Sequence, residues 1–313
     1  MNRQDFAGKD FLTLMDFSGE EIRYMVEVAA DLKAKLKRGE SHEVLKGRSV
    51  TALFEKQSTR TRLSFLAACT HLGLDCYYTR PDELQLSRGE PIKDTARVID
   101  RYCEGLVIRT FGQEIAEEFA EWMKAPVINA LTDLTHPCQG LADLLTISEH
   151  KGRLENLKLC YAGDVWNVCQ TLMICGSQLG FDVFVAAPQD YPPAEKVMKF
   201  VEAAKAKTGA TIKVTQDFNE ALDGADVVYG NTWHSMGGPE KTKEQRIEDF
   251  QPYQINAEAM KKAKPDAIFM HCLPGYRGED MTDEVIEGKQ SVVFDQAENR
   301  MHTEKAVLYL TIE

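Results

Sequence analysis

The sequence predicts an α/β protein of two domains, each a parallel β-sheet flanked by helices, with long helices joining them. Three observations support this prediction. The chain has 313 residues, more than the roughly 100–200 residues of one typical domain. Short apolar runs of strand length alternate with segments of helical periodicity along almost the whole chain, a pattern typical of βαβ units. The alternation falls into two series, which are separated by a helical segment at 137–150.

The first series opens with a helix whose start is marked by Ser18 and Glu21. These residues have the spacing of a capping box, and apolar residues then recur at helical intervals until Gly39. The elements predicted after it are a strand at 50–54, a helix at 59–72, a strand at 76–78, a helix at 92–103, a strand at 105–109, a helix at 114–123, a strand at 126–129 and the helix at 137–150. We expect a Rossmann-like parallel sheet.

The second series begins at Leu157. Its predicted elements are a strand at 157–162, a helix at 167–179, a strand at 182–186, a helix at 193–206, strands at 211–215, 226–229, 267–270 and 291–294, and a last helix at about 297–311. The segment 237–250 is the one long polar stretch, glycine-led and rich in charge. It is either a solvated surface insertion or a lid that moves when ligands bind.

Composition excludes several classes of protein. With 43% hydrophobic and 27% charged residues, the chain is expected to be globular and soluble rather than disordered or fibrous. Its 37 basic and 49 acidic residues give a net charge of −12, which disfavours nucleic-acid binding because that needs a broad basic face. A local group of arginines could still bind a small anion. No apolar stretch approaches the ~20 residues of a membrane span, so we expect no membrane partner.

Cysteine usage and the amino-terminal segment favour a cytoplasmic protein. The eight cysteines include no CxxC pair, and the first apolar run is only five residues long, from Phe11 to Met15. We therefore expect reduced thiols, no export signal and no metal. The segment Gly163-Asp164-Val165-Trp166-Asn167 contains no GxGxxG pattern, which weighs against a dinucleotide. We expect no cofactor.

Polar residues follow the predicted strands, where ligands of parallel sheets bind. After Phe54 come Ser58, Thr59, Arg60 and Thr61, at the start of a helix. Backbone N–H groups, the helix dipole and the arginine could converge there on an anion. The alternative is an ordinary helix cap with solvated arginines.

Further strand ends carry similar residues. Arg109 ends one strand, and His136-Pro137-Cys138-Gln139 opens the long helix. The other such segments are Gly163 to Asn167, Asn231 to Gly237, His271 to Pro274, and Ala297 to Arg300. Singly, an arginine of this kind is usually a surface residue and a histidine is usually structural. Polar residues after seven predicted strands are harder to explain by capping alone.

Together these segments resemble the aspartate/ornithine carbamoyltransferase family over nearly the whole chain. The most specific are Ser58-Thr59-Arg60-Thr61-Arg62 and His136-Pro137-Cys138-Gln139, supported by Gly89-Glu90, Lys93 to Val98 and Leu141 to Leu145. Three further segments resemble the ornithine branch: His271-Cys272-Leu273-Pro274, Ser235-Met236-Gly237 and Ala297-Glu298-Asn299-Arg300.

The resemblance implies transfer of the carbamoyl group of carbamoyl phosphate to the side-chain amine of ornithine, giving citrulline and phosphate. It implies a carbamoyl-phosphate domain at 1–136 to which 297–313 returns, a linking helix at 137–150 and an ornithine domain at 151–296. The implied carbamoyl-phosphate residues are Ser58, Thr59, Arg60, Thr61, Gln85, Arg109, His136, Gln139, Cys272, Leu273 and Arg300.

The resemblance also implies individual roles. The implied catalytic residues are Arg109, His136, Cys272 and Arg300, and the implied ornithine-binding residues are Asn167, Asn231, Ser235 and Met236. Gln139 and carbonyls near Cys272 and Leu273 would recognise the carbamoyl NH2. Gln85 looks like the family residue that enters a neighbouring subunit's site, which implies a homotrimer or a multiple of trimers; the alternative is a surface loop.

One position departs from the family pattern. Asn231 stands where the family has aspartate, so the chain lacks a counter-charge for the α-ammonium of an amino acid. Two other amine substrates are left open, an N-acylated ornithine and putrescine. Two other kinds of protein are also left open: a silent carbamoyl-phosphate-binding protein and a dinucleotide oxidoreductase, which the missing glycine pattern disfavours. The proton acceptor and an anabolic or catabolic role are also open.

Overall fold

A computed structural model describes residues 1–234 and 241–313, which form two compact units. The first unit consists of Met1–Leu145 and Glu298–Glu313, and the second consists of Thr146–Ala297. The chain leaves the first unit within one long helix and returns to it within the last helix. Both units contain an entirely parallel sheet, so the predicted fold class is confirmed.

The first unit has a four-stranded sheet in the order β2-β1-β3-β4. Its strands are β1 (Ser49–Phe54), β2 (Asp75–Thr79), β3 (Leu106–Arg109) and β4 (Val127–Leu131). Its helices are α1 (Gly19–Lys37), α2 (Thr59–Leu72), α3 (Ile92–Ile99), α4 (Gln113–Trp122), the first part of α5 (Pro137–Lys151) and most of α12 (Val293–Thr311). The carboxyl ends of β1, β3 and β4 therefore share one edge of the sheet.

Local sequence explains the limits of these helices. The capping box predicted at Ser18 is present, because its side chain and that of Glu21 each accept from the other's backbone N–H. Helix α2 starts after Ser58 and ends at Gly73, which has a φ of +73° and closes the helix in the left-handed conformation. Apolar residues of β1, β3, α3 and α4 form the core beneath the sheet, including Leu53 and Phe119.

The second unit has a five-stranded sheet in the order β7-β6-β5-β8-β9. Its strands are β5 (Lys158–Ala162), β6 (Asp182–Ala186), β7 (Ile212–Thr215), β8 (Val227–Gly230) and β9 (Ile268–His271). Its own helices are α6 (Asn167–Leu179), α7 (Glu195–Thr208), α8 (Phe218–Leu222), α9 (Lys243–Phe250), α10 (Ala257–Met260) and α11 (Asp283–Ile286). Because β5, β8 and β9 are neighbours, the segments that follow them leave the sheet side by side.

One predicted strand is wrong. The run 291–294 contributes a single bridge between Ser291 and Phe269, and helix α12 begins at Val293. A four-residue apolar run has no periodicity that separates a strand from a buried helical turn. Val292 and Val293 are both buried while Phe294 is exposed, so the run does not alternate as a half-buried strand would.

Other boundaries differ less. Helix α3 ends at Ile99, four residues before the predicted end, and the short helices α8 to α11 were not predicted. In the polar stretch 237–250, residues 241–250 are described, and Thr242 caps α9 through its bond from the Gln245 N–H. The rest of that stretch lies outside the described residues. Within 1–234 and 241–313, no helix combines the length and apolar character of a membrane span.

Candidate active site

The start of α2 provides a set of anion-binding groups in the first unit. The Ser58 side chain accepts from the Thr61 N–H at 3.1 Å, which fixes the first helical turn beyond the end of β1. The first N–H groups of a helix have no partner within the helix, and they carry its positive dipole end. Thr59 is exposed and Arg60 is half-buried on this turn. The predicted anion-binding segment thus lies at a helix N-terminus.

Two buried arginines converge on one hydroxyl of this turn. Arg109, the last residue of β3, donates from Nη1 to Thr61 Oγ1 at 3.3 Å. Arg300, from α12, donates from Nη2 to the same oxygen at 3.2 Å. Both side chains are buried. Placing two cations in a low-dielectric interior is costly unless anions offset them, so this arrangement favours binding of an anion.

Arg300 is held by two further acceptors. Its Nη1 donates to Gln139 Oε1 at 2.9 Å, and its Nη2 donates to Glu304 Oε1 at 2.7 Å. Gln139 in turn donates from Nε2 to Asp143 at 2.8 Å. We call Thr61, Arg109, Gln139 and Arg300 the arginine cluster; it brings together β3, α2, α5 and α12.

His136 lies next to this cluster in an uncharged form. It immediately precedes α5 and is buried. Burial, reinforced by the positive charges of Arg300, Arg109 and Arg60, holds the pKa of the His136 imidazole well below its usual range. At neutral pH the ring therefore has one N–H donor and one acceptor nitrogen, and it can donate to a developing oxyanion without carrying a charge.

Several residues near the cluster were not singled out from the sequence. Lys56 is buried, pairs with Asp133, and lies 4.1 Å from the centre of the Phe111 ring. Burial lowers its pKa. Glu304 is buried beside Arg300. Glu304 could have been identified from the sequence, because it is four residues after Arg300 on a predicted helix. Lys56 could not, because its contacts join segments that are distant in the chain.

The second unit places Cys272 beside Asn231. The Cys272 thiol donates to Asn231 Oδ1 at 3.1 Å, at the ends of the neighbouring strands β9 and β8. Asn231 is buried, and its side-chain oxygen serves as an acceptor. The backbone here is close to Gly163 after β5, where a Cβ would lie 2.5 Å from the Asn231 carbonyl oxygen. Only glycine is compatible with this approach.

A buried histidine fixes the turn after Cys272. Leu273 adopts a φ of +56°, a left-handed conformation that is uncommon for a leucine. Its N–H donates to His271 Nδ1 at 2.9 Å, and His271 Nε2 lies 2.7 Å from Asp280. The Nδ1 atom therefore accepts and Nε2 donates. This pair stabilises the backbone that carries Leu273, and no motif in the sequence indicated it.

A buried ion pair lies near Asn231. Arg246 of α9 lies 2.6 Å from an Asp164 oxygen and donates to the Trp233 carbonyl at 2.6 Å. It therefore connects the segments after β5 and β8 to α9. Asn167, the first residue of α6, is buried in the same unit.

The structure locates the remaining candidates only in part. Ser235 and Met236 lie outside the described residues. Gln85 is exposed in a short 3-10 turn, Gln85–Arg88. A cleft of about 540 Å³ opens beside Ser58 and Thr59, and its wall includes Arg62, whose guanidinium lies 3.8 Å from the Tyr78 ring centre.

Two family models match the chain. Residues 9–149 match the carbamoyl-P binding domain of aspartate/ornithine carbamoyltransferase, and residues 155–311 match the Asp/Orn binding domain. Among curated proteins, the chain is 47% identical to an ornithine carbamoyltransferase of Carboxydothermus hydrogenoformans, over 98% of each chain. It is 46% identical to an anabolic ornithine carbamoyltransferase of Pyrococcus furiosus, over 98% of this chain and 97% of that protein.

Solved structures give the same result. The ornithine carbamoyltransferase structure from Pyrococcus furiosus matches with a TM-score of 0.94 at 46% identity, over 98% of this chain and 97% of that one. The anabolic enzyme from Campylobacter jejuni matches with a TM-score of 0.89 at 42% identity, over 96% of this chain and 97% of that one.

Proposed function

This chain belongs to the aspartate/ornithine carbamoyltransferase family, and we propose that it transfers the carbamoyl group of carbamoyl phosphate to the δ-amine of L-ornithine. The products are L-citrulline and inorganic phosphate. The observation that carries the proposal is the convergence of Arg109 and Arg300 on Thr61, at the N-terminus of α2. A doubly charged acyl phosphate fits this arrangement, and the overall acidity of the protein does not oppose it locally.

The phosphate is held by the first turn of α2 and by arginine. Ser58, Thr59, Arg60 and Thr61 supply side-chain and backbone donors, and the helix dipole adds to their attraction. Arg109 adds a guanidinium from the end of β3. Guanidinium groups suit this task because their planar fork matches two phosphate oxygens.

The carbamoyl group is activated by donors to its carbonyl oxygen. As the amine attacks, this oxygen gains negative charge, which His136, Arg109, Thr61 and Arg300 stabilise. His136 donates as a neutral imidazole, and the two arginines supply positive charge. Such donors act mainly in the transition state, where the oxygen charge is largest.

The carbamoyl NH2 is recognised by acceptors. The Gln139 side-chain oxygen is oriented by Arg300 and Asp143, and it accepts from this NH2 together with backbone carbonyls at Cys272 and Leu273. Acetyl phosphate, which lacks the NH2 group, cannot donate to these acceptors and is rejected.

The amine substrate is bound by the second domain, which we place at 151–296. Asn167, Asn231, Ser235 and Met236 hold the α-amino and carboxylate groups, and Cys272 lies beside the attacking amine. The first domain, 1–136 with 297–313, binds carbamoyl phosphate, and 137–150 links the two. Cys272 and the departing phosphate are the candidate acceptors for the proton that the amine loses.

A second amine remains a candidate because of Asn231. Its neutral amide already accepts from Cys272 and supplies no counter-charge to an α-ammonium group. An N-acylated ornithine has no such charge, so it would not need a carboxylate at this position. Putrescine fits less well, since it has no carboxylate for the Ser235-Met236 segment to bind.

Turnover of a substrate panel tests the proposal. Purified protein is supplied with carbamoyl phosphate and one of ornithine, N-acetylornithine, putrescine or aspartate, and the ureido product is measured. We expect product with ornithine, and none with the variant Arg300→Gln. If N-acetylornithine is the one amine that gives product, the assigned substrate changes from ornithine to its acylated form. Binding of carbamoyl phosphate with no product from any amine would indicate a silent binding protein.

The assembly is proposed to be a cytoplasmic homotrimer in which Gln85 enters a neighbouring site. Its exposure in a turn of the first unit is compatible with this role. Sedimentation should give three times the monomer mass or a multiple of it. Mixing Gln85→Ala and Arg60→Ala chains should restore part of the activity, because hybrid trimers then contain sites with neither substitution. A monomeric active enzyme would contradict this proposal.

A further inference from the structure

Glu304 is the carboxylate that the proposed reaction leaves without a role, although it touches the arginine cluster. It is fully buried on α12, one turn after Arg300, and its Oε1 accepts from Arg300 Nη2 at 2.7 Å. The same guanidinium nitrogen donates to Thr61, while the other donates to Gln139. Glu304 thus completes the set of acceptors that orient Arg300.

A buried carboxylate at this position also reduces the positive charge available to a phosphate. Arg60, Arg109 and Arg300 together carry three positive charges near the cluster. The negative charge of an ionised Glu304 offsets one of these positive charges. In a buried site, water and salt screen this electrostatic effect poorly. The charge state of Glu304 should therefore change the affinity of the site for a dianion.

The groups that face Glu304 come from four elements. Arg300 lies on its own helix, Arg109 faces it from β3, the Ser64 hydroxyl lies near it on α2, and the Cys138 thiol lies near it on α5. The Cys69 thiol of α2 also experiences its charge. Burial outweighs the arginines and the nearby Ser64 hydroxyl, and it raises the pKa of Glu304 to about 7.

We propose, on the basis of the proposed function, that Glu304 is a positioning residue that fixes the orientation of Arg300 and makes binding of the phosphate group depend on pH around neutrality. Below neutrality Glu304 is protonated, and the cluster attracts phosphate more strongly. Above neutrality it is ionised, holds Arg300 by a charge-assisted bond, and weakens phosphate binding. By linkage, a bound dianion makes Glu304 harder to ionise.

Inorganic phosphate and the variant Glu304→Gln test the charge effect without turnover. Glutamine keeps an acceptor oxygen for Arg300 but cannot ionise. Calorimetry gives the phosphate Kd of both proteins from pH 5.5 to pH 8.5, and taking their ratio removes the titration of phosphate itself. We expect equal affinity at the acidic end and about three- to tenfold tighter binding by Glu304→Gln at the alkaline end. A ratio that stays constant across this range overturns the proposal.

Turnover of carbamoyl phosphate tests the orientation of Arg300. Glu304→Met has a similar length but no acceptor, so we expect kcat to fall about tenfold or more while Glu304→Gln recovers most of it. Equal kcat in the two variants would contradict the positioning role. Glu298→Gln is the matched control, since it removes a carboxylate on the same helix that faces His302 and Lys37; it should change neither readout.

The two experiments separate this proposal from the proposed function. If the wild-type protein binds phosphate with the expected pH dependence but carbamoylates no amine, the charge role of Glu304 stands and the transferase assignment fails. If ureido product forms but the Kd ratio is flat, the transferase assignment stands and the Glu304 proposal fails. Thermal melting identifies a misfolded variant. Glu304→Gln and Glu304→Met test different parts of the proposal, so a contrary result from either variant overturns the proposal.

Discussion

Arg300 Nη1 donates a hydrogen bond of 2.9 Å to Gln139 Oε1, across 161 positions of the chain. The contact places a cationic donor next to an amide acceptor in the buried part of the first unit. A carbamoyl group needs this combination, because its carbonyl oxygen accepts while its NH2 donates. The contact exists only because α12 returns to the unit in which α5 begins.

Arg60→Ala should weaken binding of carbamoyl phosphate while leaving the fold intact. Arg60 is half-buried at the start of α2, and a charge-assisted hydrogen bond is worth about 1.5–3 kcal/mol, or roughly a 10- to 150-fold change in Kd. Calorimetry measures the Kd, and circular dichroism checks the fold. Arg48→Ala, an exposed arginine 4.0 Å from Glu104, is the control. If Arg60→Ala kept the wild-type affinity, the phosphate would not bind beside Arg60.

His136→Ala should lower kcat by about 10²–10³, which is typical for the loss of one oxyanion donor. Because the pKa of His136 lies well below its usual range, the ring is already neutral at pH 6.5. The wild-type rate profile should therefore show no step from His136 between pH 6.5 and pH 8. His150→Gln, a histidine that pairs with Asp295 at the surface, should keep normal kcat. If kcat of His136→Ala stayed within threefold of the wild-type value, His136 would not be an oxyanion donor in this mechanism.

Asn231→Asp should distinguish the two amine substrates. An added carboxylate should tighten KM for a free α-amino acid about tenfold, by the difference between a charge-assisted and a neutral hydrogen bond. It should weaken KM for an acylated one. Since Cys272 donates to residue 231, the added charge should also disfavour the Cys272 thiolate. The control is Asn219→Asp, which makes the same exchange at an exposed position on α8. If KM for both amines stayed unchanged, residue 231 would not contact the substrate.

His302 should make stability depend on acid pH. Burial, helped by the charge of Lys305, lowers the pKa of His302 to about 4 in the folded protein. Between pH 6.5 and about pH 4 the unfolded chain binds a proton that the folded protein does not, so stability falls as pH falls. The loss is up to about 3 kcal/mol. His302→Gln should therefore show a smaller drop in Tm from pH 7 to pH 4.5, whereas His150→Gln should behave as wild type. An equal drop in His302→Gln and wild type would assign the pH dependence to other groups.

Most of the fold could be predicted from the sequence because its elements have local causes. The Ser18 capping box, the Gly73 cap and the alternation of apolar strands with amphipathic helices each act within a few residues. The run at 291–294 fails for the same reason, since its helical state depends on continuity with α12 rather than on its own four residues.

The candidate site could be predicted only as a set of residue types. Motifs identified Thr61, Arg109 and Gln139, but not that Arg109 and Arg300 share the Thr61 hydroxyl. Motifs likewise gave no reason to select Lys56, whose partner Asp133 is 77 positions away. Side-chain pairs of this kind are set by packing between distant segments, and one chain shows no pattern for them.

Hydrophobic periodicity and helix capping act over short distances, so the sequence alone specifies the two parallel sheets and the order of the strand ends that bear polar residues. It also determined the family, since the Ser58–Arg62 and His136–Gln139 segments occur together. Folding of the whole chain determines which charges meet. It placed the Glu304 carboxylate against Arg300 and left His136 uncharged beside three arginines. Burial and long-range packing fix these charge states, and both arise only when the chain is folded.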